Sequence, residues 1–306
     1  MDRARDFVGY ADCPPDITWP NGARVAVNFV LNYEEGSEYA IAEDGRTDTT
    51  LVEVAQARVP VGDRDLGAES MFEYGSRVGF WRLYRLFRET GLPLTVFASA
   101  LALERNPEAV RAIRATDWDV VCHGWRWIEH YLLDEATERE HIARGHDTLT
   151  RLLGRSPQGF YCRYAPSVAT RRLVVEHGGF AYDSDAYNDE LPYWTEVGGK
   201  AHLVVPYSLA TNDAKMLGAG GLTGRLFGEF LIDSVETLIA EAQAHPRMMS
   251  VGMHCRILGH PGRVPALRAF MAHLAGRDDV WVCRRADIAA HWRKVAPYTE
   301  KRHALA

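Results

Sequence analysis

Much is excluded by what this 306-residue chain lacks. Its five cysteines (Cys13, Cys122, Cys162, Cys255 and Cys283) are odd in number and scattered singly, with no CxxC pair. Neither a zinc cluster nor a disulfide framework is indicated, and a reducing cytoplasm is the expected home. No apolar run reaches the ~18 residues that a membrane span needs. The opening MDRARDFVGY has no apolar signal-peptide core, so no membrane partner is expected. A net charge of −6 leaves no basic footprint, which argues against nucleic acid as a partner. Low-complexity tracts and internal repeats are missing as well, and no GxGxxG follows the first strand-like run.

What remains is ordinary globular material, 47% hydrophobic and 25% charged, long enough for a large core. After an extended arm over 1–24, β-branched and apolar runs predict strands at 24–31, 94–98, 118–122, 159–162, 180–183, 202–207, 249–253 and 280–283. Helices are expected between them, at 77–89 after a Ser76 cap and at 107–115 after Asn106-Pro107. Others follow at 135–153 (from Asp134 to Gly154), 170–177, 227–244, 265–274 and 286–294. Residues 37–75 are polar and aperiodic and read as a covering loop. Strands alternating with helices without a linker predict one (β/α) barrel domain over 1–306, with a doubly wound sheet as the alternative.

The stretch Val120-Val121-Cys122-His123-Gly124-Trp125-Arg126-Trp127 is the centre of the functional reading. A strand stops there and gives way to an imidazole between indoles, the makings of an apolar-walled pocket. Other expected strands end the same way: Glu34 and Glu35 after the first, Arg163 after the fourth, Asp183 and Asp185 after the fifth, His254 and Arg256 after the seventh. In a barrel all of these fall on the C-terminal face, where active sites are built. The set suits hydrolysis: a carboxylate takes a proton from water, a histidine protonates the leaving group, and an arginine stabilises negative charge. Cys122 and Cys255 each abut a candidate histidine, but neighbours on a strand point to opposite faces, so neither is expected to act.

These motifs resemble the polysaccharide deacetylase superfamily (carbohydrate esterase family 4), and most of all its metal-independent, allantoinase-like branch. NYEEG at 32–36 stands where the deacetylases carry Asp-Asp-Gly, and HGWRW at 123–127 where they carry His-Ser/Thr-x-x-His. YCRYAPS at 161–167 is similar to their arginine-containing third motif. FEYGSRVGFWRL at 72–83, YDSDAYNDELPYW at 182–194, PYSLATND at 206–213 and GMHCRILGHPGR at 252–263 resemble the allantoinase-like branch in particular. YCRYAPS and LGAGGLTG (217–224) depart from the usual forms of that branch and leave the ring substrate open.

The resemblance implies a distorted or incomplete TIM-like barrel, a homotetramer, and a hydrolase acting on a small cyclic amide or ureide. Glu34 then matches the catalytic base, Glu35 the metal-binding aspartate and His123 the first metal histidine; Trp127 replaces the second. Indole nitrogen cannot ligate a metal, so no metal or other cofactor is expected. Either glutamate could act as base. His123 would orient water or polarise the carbonyl, and His254 would protonate the departing nitrogen. Trp125, Trp127, Arg163, Asp183, Asn212 and Arg256 are expected to bind substrate, with Arg163 or Arg256 on its acceptor oxygens. The alternatives are a cyclic imide hydrolase, a metal-dependent deacetylase of N-acetylated sugars, and an inactive metabolite-binding barrel.

Overall fold

The computed structural model describes residues 5–52, 59–60, 62–217 and 221–299. Its framework grows from β1 (Val25–Tyr33), which is buried along its whole length. The run VAVNFVLNY suits a central parallel strand covered on both faces. Alternation sorts its side chains: Val25, Val27, Phe29, Leu31 and Tyr33 pack under the helices, and Ala26 and Val30 join a second core inside the curl of the sheet.

Parallel partners flank β1: β2 (Thr95–Ala98) beside its second half and β8 (Arg247–His254) along its other edge. From β2 the parallel sheet continues through β3 (Asp119–Cys122), β4 (Gly159–Phe160), β5 (Tyr182–Asp183) and β7 (Lys200–Val204). A ninth strand, β9 (Val280–Val282), pairs with Val25–Val27 below β2. At the far end, β6 (Tyr193–Val197) pairs antiparallel with β7. Among the described residues, β6 and β8 are not paired, and a bridge from Asn212 to Gly252 is all that extends the sheet beyond β8. The sheet is an incomplete (β/α) barrel, curled but open along one seam.

The helices are α1 (Ile41–Asp44), α2 (Leu66–Tyr74), α3 (Phe80–Thr90), α4 (Ala100–Glu104), α5 (Pro107–Arg114), α6 (Glu135–Leu153), α7 (Thr170–His177), α8 (Asp213–Met216), α9 (Gly224–Glu241), α10 (Val264–Leu274) and α11 (Arg285–Val295). No helix among the described residues is long and apolar enough to cross a membrane. Arg285, at the start of α11, plugs the barrel interior. Its five N–H groups reach Ser184 Oγ, Asn28 Oδ1, Ser250 Oγ and the carbonyls of Val205 and Pro206, so a buried cation is held by neutral acceptors.

Caps expected at Asn106 and Asp134 form, with each side chain accepting from the amide three residues on. The cap expected at Ser76 does not. Asp65 caps a helix that begins at Leu66, and this helix passes through a π-turn over Gly75–Gly79 into α3. Ser76 Oγ instead lies 3.1 Å from Tyr33 Oη and accepts from Asn106 Nδ2 at 2.9 Å. The covering segment is thus partly helical; its residues 53–58 and 61 lie outside the described residues, as do 1–4 of the arm and 218–220 of LGAGGLTG. The β6–β7 hairpin was not expected. Its turn, Gly198-Gly199, has φ of 57° and 75°, a conformation that only glycine adopts readily at both positions.

Candidate active site

Strand register builds the site. Asn32 lies opposite His254, Tyr33 opposite Ala98, and Ala98 opposite Cys122. The residues just past these positions, Glu34, His123 and Arg256, therefore converge above the C-terminal strand ends. Glu34 Oε1 lies 3.2 Å from His123 Nε2 and 3.5 Å from His254 Nε2, while Glu34 Oε2 accepts from Arg256 Nη1 at 2.8 Å. Glu35 turns to the same guanidinium (3.2 Å), and its other oxygen accepts the Glu34 amide. Gly75 makes room for this: a Cβ there would come within 2.4 Å of Glu35 Oε1.

Each histidine is fixed by its other nitrogen. His123 Nδ1 donates to the Tyr161 carbonyl at 3.0 Å, leaving Nε2 facing Glu34. His254 Nδ1 donates to Asp213 Oδ1 at 2.6 Å, and Asp213 Oδ2 accepts the backbone amides of His254 and Leu258. Burial alone would depress the His254 imidazole; the carboxylates of Glu34 and Asp213 overcome it and raise its pKa to about 10. Burial opposes ionisation of Glu34 too, yet His254 and Arg256 hold its carboxyl well below the usual range. Burial lifts Glu35, which Arg256 offsets only in part. The centre thus pairs an ionised carboxylate with a protonated imidazole.

Trp127 forms the wall. The Arg163 guanidinium lies 3.7 Å and that of Arg256 4.9 Å from its ring centroid, with Phe72 of α2 edge-on at 6.2 Å. Arg163 itself is engaged elsewhere, with Nη1 on Asp48 Oδ2 (2.7 Å) and on the Trp127 carbonyl (3.0 Å). Glu34, Glu35, His123, Trp127, Arg163, His254 and Arg256 are all buried, closed over by α2 and the segment after Glu35.

Three residues expected to bind substrate lie elsewhere. Trp125 packs in the core under the helices, with the Arg144 guanidinium 3.7 Å from its ring centroid. Asp183 is consumed by Arg171 Nε (2.7 Å) and His202 Nε2 (2.9 Å), tying β5 to β7 and α7. Asn212 caps α8 through its Oδ1 and donates to Tyr207 Oη, so it supports the helix that carries Asp213. Asp213, Asp48 and Phe72 were not among the expected site residues, although Phe72 and Asp213 fall within the motifs at 72–83 and 206–213. Asp213 had a signal, since it follows Asn212 directly and a proton-donating histidine needs an orienting partner. Cys122 faces α6 beside Gly145, and burial pushes its thiol up to about 12, so it is no nucleophile.

The polysaccharide deacetylase profile matches residues 67–182. A Schizosaccharomyces pombe protein assigned to the polysaccharide deacetylases is 37% identical over 97% of this chain and 99% of its own length. The chain belongs to the polysaccharide deacetylase family. Among solved structures, a Pseudomonas aeruginosa protein assigned to the same family superposes with a TM-score of 0.92 at 44% identity, covering 97% of this chain and 100% of that one. PuuE allantoinase superposes equally well, TM-score 0.92 at 45% identity over 98% of this chain and 100% of its own. Family deacetylases, by the resemblance of the motifs, hold a divalent metal on an aspartate and two histidines. The residues here do not fit that group. Trp127 offers no lone pair, Glu35 is turned to Arg256, and a guanidinium already supplies positive charge beside both glutamates.

Proposed function

We propose that this deacetylase-family hydrolase opens the ring of a small cyclic amide of the ureide type by acid–base catalysis without a metal. The observation that carries the proposal is the Asp213–His254–Glu34 array: a carboxylate-oriented imidazolium and an ionised carboxylate aimed at one point. Unmetallated water keeps a pKa near ~15.7, so the base must act during the attack. Glu34 takes the water proton as oxygen bonds to the ring carbonyl carbon. His254 then gives its Nε2 proton to the departing nitrogen as the C–N bond breaks. Asp213 holds Nδ1–H throughout, and His123 Nε2, the acceptor left on that ring, orients the water beside Glu34. Transfer of the Glu34 proton to His254 restores both groups.

Burial of the centre favours a small ligand over a polymer, and similarity to an allantoinase points to a ureide ring. A cyclic imide, which presents the same carbonyl–nitrogen bond, is the second reading. Assay of purified protein against cyclic ureides, cyclic imides and N-acetylated amino sugars tests the proposal. Ring opening is expected, and Glu34→Gln and His254→Ala are each expected to lower kcat by ~10²–10⁴-fold with the fold intact. Deacetylation of the sugars alone, or near-normal turnover by both variants, would refute it.

A further inference from the structure

Arg256 presents one buried edge without a hydrogen-bond partner. Its Nη1 serves Glu34 and Glu35, but Nε and Nη2 are buried and without a hydrogen-bond partner. Among the described residues it is the one side chain with two such atoms. Buried donors are almost always satisfied, so a pair left open at a catalytic centre points to an absent acceptor. Arg163 makes the contrast, because Asp48 and the Trp127 carbonyl occupy its Nη1, Glu129 lies 3.5 Å from its Nη2, and Nε alone is open.

The chemistry of the acceptor follows from the shape of the edge. Nε–H and the Nη2–H beside it are parallel donors, a fork matched to two oxygens on one carbon. A ring amide offers one oxygen at its carbonyl carbon. After water adds, that carbon carries two, and after the C–N bond breaks it carries the two of a carboxylate. We propose that the Nε/Nη2 edge of Arg256 is an oxyanion and carboxylate subsite, which binds both oxygens of the carbon under attack and then the carboxylate of the ring-opened product. The timing rests on the ring-opening reading; the preference for small monocarboxylates does not.

The step balances with one proton released to solvent. The water oxygen bonds to the carbonyl carbon and one water proton goes to Glu34. The electron pair of the C–N bond goes to nitrogen, which takes the proton of His254. The new carboxyl group loses its proton to solvent and stays on the fork as an anion. Because the fork gains its second oxygen only after attack, it favours the transition state over the substrate. Glu34 and Glu35 share the same cation at Nη1, so the product anion is held weakly and leaves.

The test titrates acetate and N-carbamoylglycine, an open-chain ureido acid, into wild type, Arg256→Lys and Arg163→Lys by calorimetry. Wild type is expected to bind one equivalent. Lysine keeps the charge but loses the fork, so Arg256→Lys is expected to weaken binding by about tenfold or more, and Arg163→Lys, whose Nη1 donors already go to Asp48 and the Trp127 carbonyl, to weaken it less. In turnover, Arg256→Lys is expected to lower kcat more than it raises KM. Undiminished binding by Arg256→Lys, or loss confined to Arg163→Lys, overturns the proposal even if rings are opened. Fork-dependent carboxylate binding without ring opening upholds the subsite and refutes the ring-opening reading. Should Arg256→Lys fail to fold, wild type decides through its arginine Nε–H resonances. Acetate is expected to shift one buried resonance that persists in Arg163→Lys, and the absence of any such shift overturns the proposal.

Discussion

A histidine is useful as an acid at neutral pH only if something keeps it charged, and in this protein Asp213 and Glu34 do so for His254. Its pKa near 10 and the depressed carboxyl of Glu34 lead to the expectation of a broad plateau of activity across neutral pH, with an alkaline limb set by His254. Asp213→Asn removes one of the two charges and the anchor for Nδ1. The alkaline limb of kcat/KM is expected to move down toward neutral pH, with kcat reduced by roughly 10²-fold, in a pH–rate profile. The same group couples folding to pH. A folded-state pKa raised from 6.5 to about 10 gives stability that is full below pH 6.5 and is lost as pH rises to about 10. Melting temperatures should fall across that window in wild type and change less in Asp213→Asn. An unaltered alkaline limb in the variant would mean that another group sets it.

At the scale of elements, the candidate site depends on how closely α2, the π-turn and α3 approach the end of β8. Gly79 allows this, since a Cβ there would lie 2.0 Å from the Cys255 carbonyl, between His254 and Arg256. Backbone on that side cannot yield as a flexible side chain would. Gly79→Ala is therefore expected to cost about 1–3 kcal/mol of stability, as overpacking typically does, and to lower activity by displacing His254 and Arg256. Urea denaturation with a parallel assay checks both, and a variant with wild-type stability and turnover would show that the turn does not position the site. Ser76 shows the same dependence: it has the chemistry of a helix cap, but packing runs the helix through it and hands its hydroxyl to Tyr33 and Asn106.

For the whole molecule, two guanidinium groups bring positive charge to the centre. Arg163 and Arg256 both lie against Trp127, where the resemblance places a histidine ligand in the deacetylases. Activity is expected to survive prolonged chelation; one tightly bound zinc per active chain, with activity lost on its removal, would contradict this. Exposed apolar side chains lie on the cover, at Val59 and Leu66, and after β5, at Tyr187. A homo-oligomer is expected by light scattering at micromolar concentration, and a strict monomer would count against it.

Much of this was written locally. The β-branched runs, the Asn106 and Asp134 caps and the polar residues after each strand depend on neighbours within a few positions, so composition and spacing carry them. Because parallel strands in a curled sheet all present the same end to one face, Glu34, Glu35, His123, His254 and Arg256 could be grouped without coordinates. The Gly198-Gly199 turn was equally legible, though the hairpin it closes was missed. Partnerships across the chain were not legible. That His254 is held by Asp213, that Arg163 goes to Asp48 while Arg256 takes the glutamates, and that Trp125 faces the helices while Trp127 faces the site are decided by register and side-chain direction. A sequence specifies which charges exist; only the closing of the sheet decides which of them are left to face one another out of water.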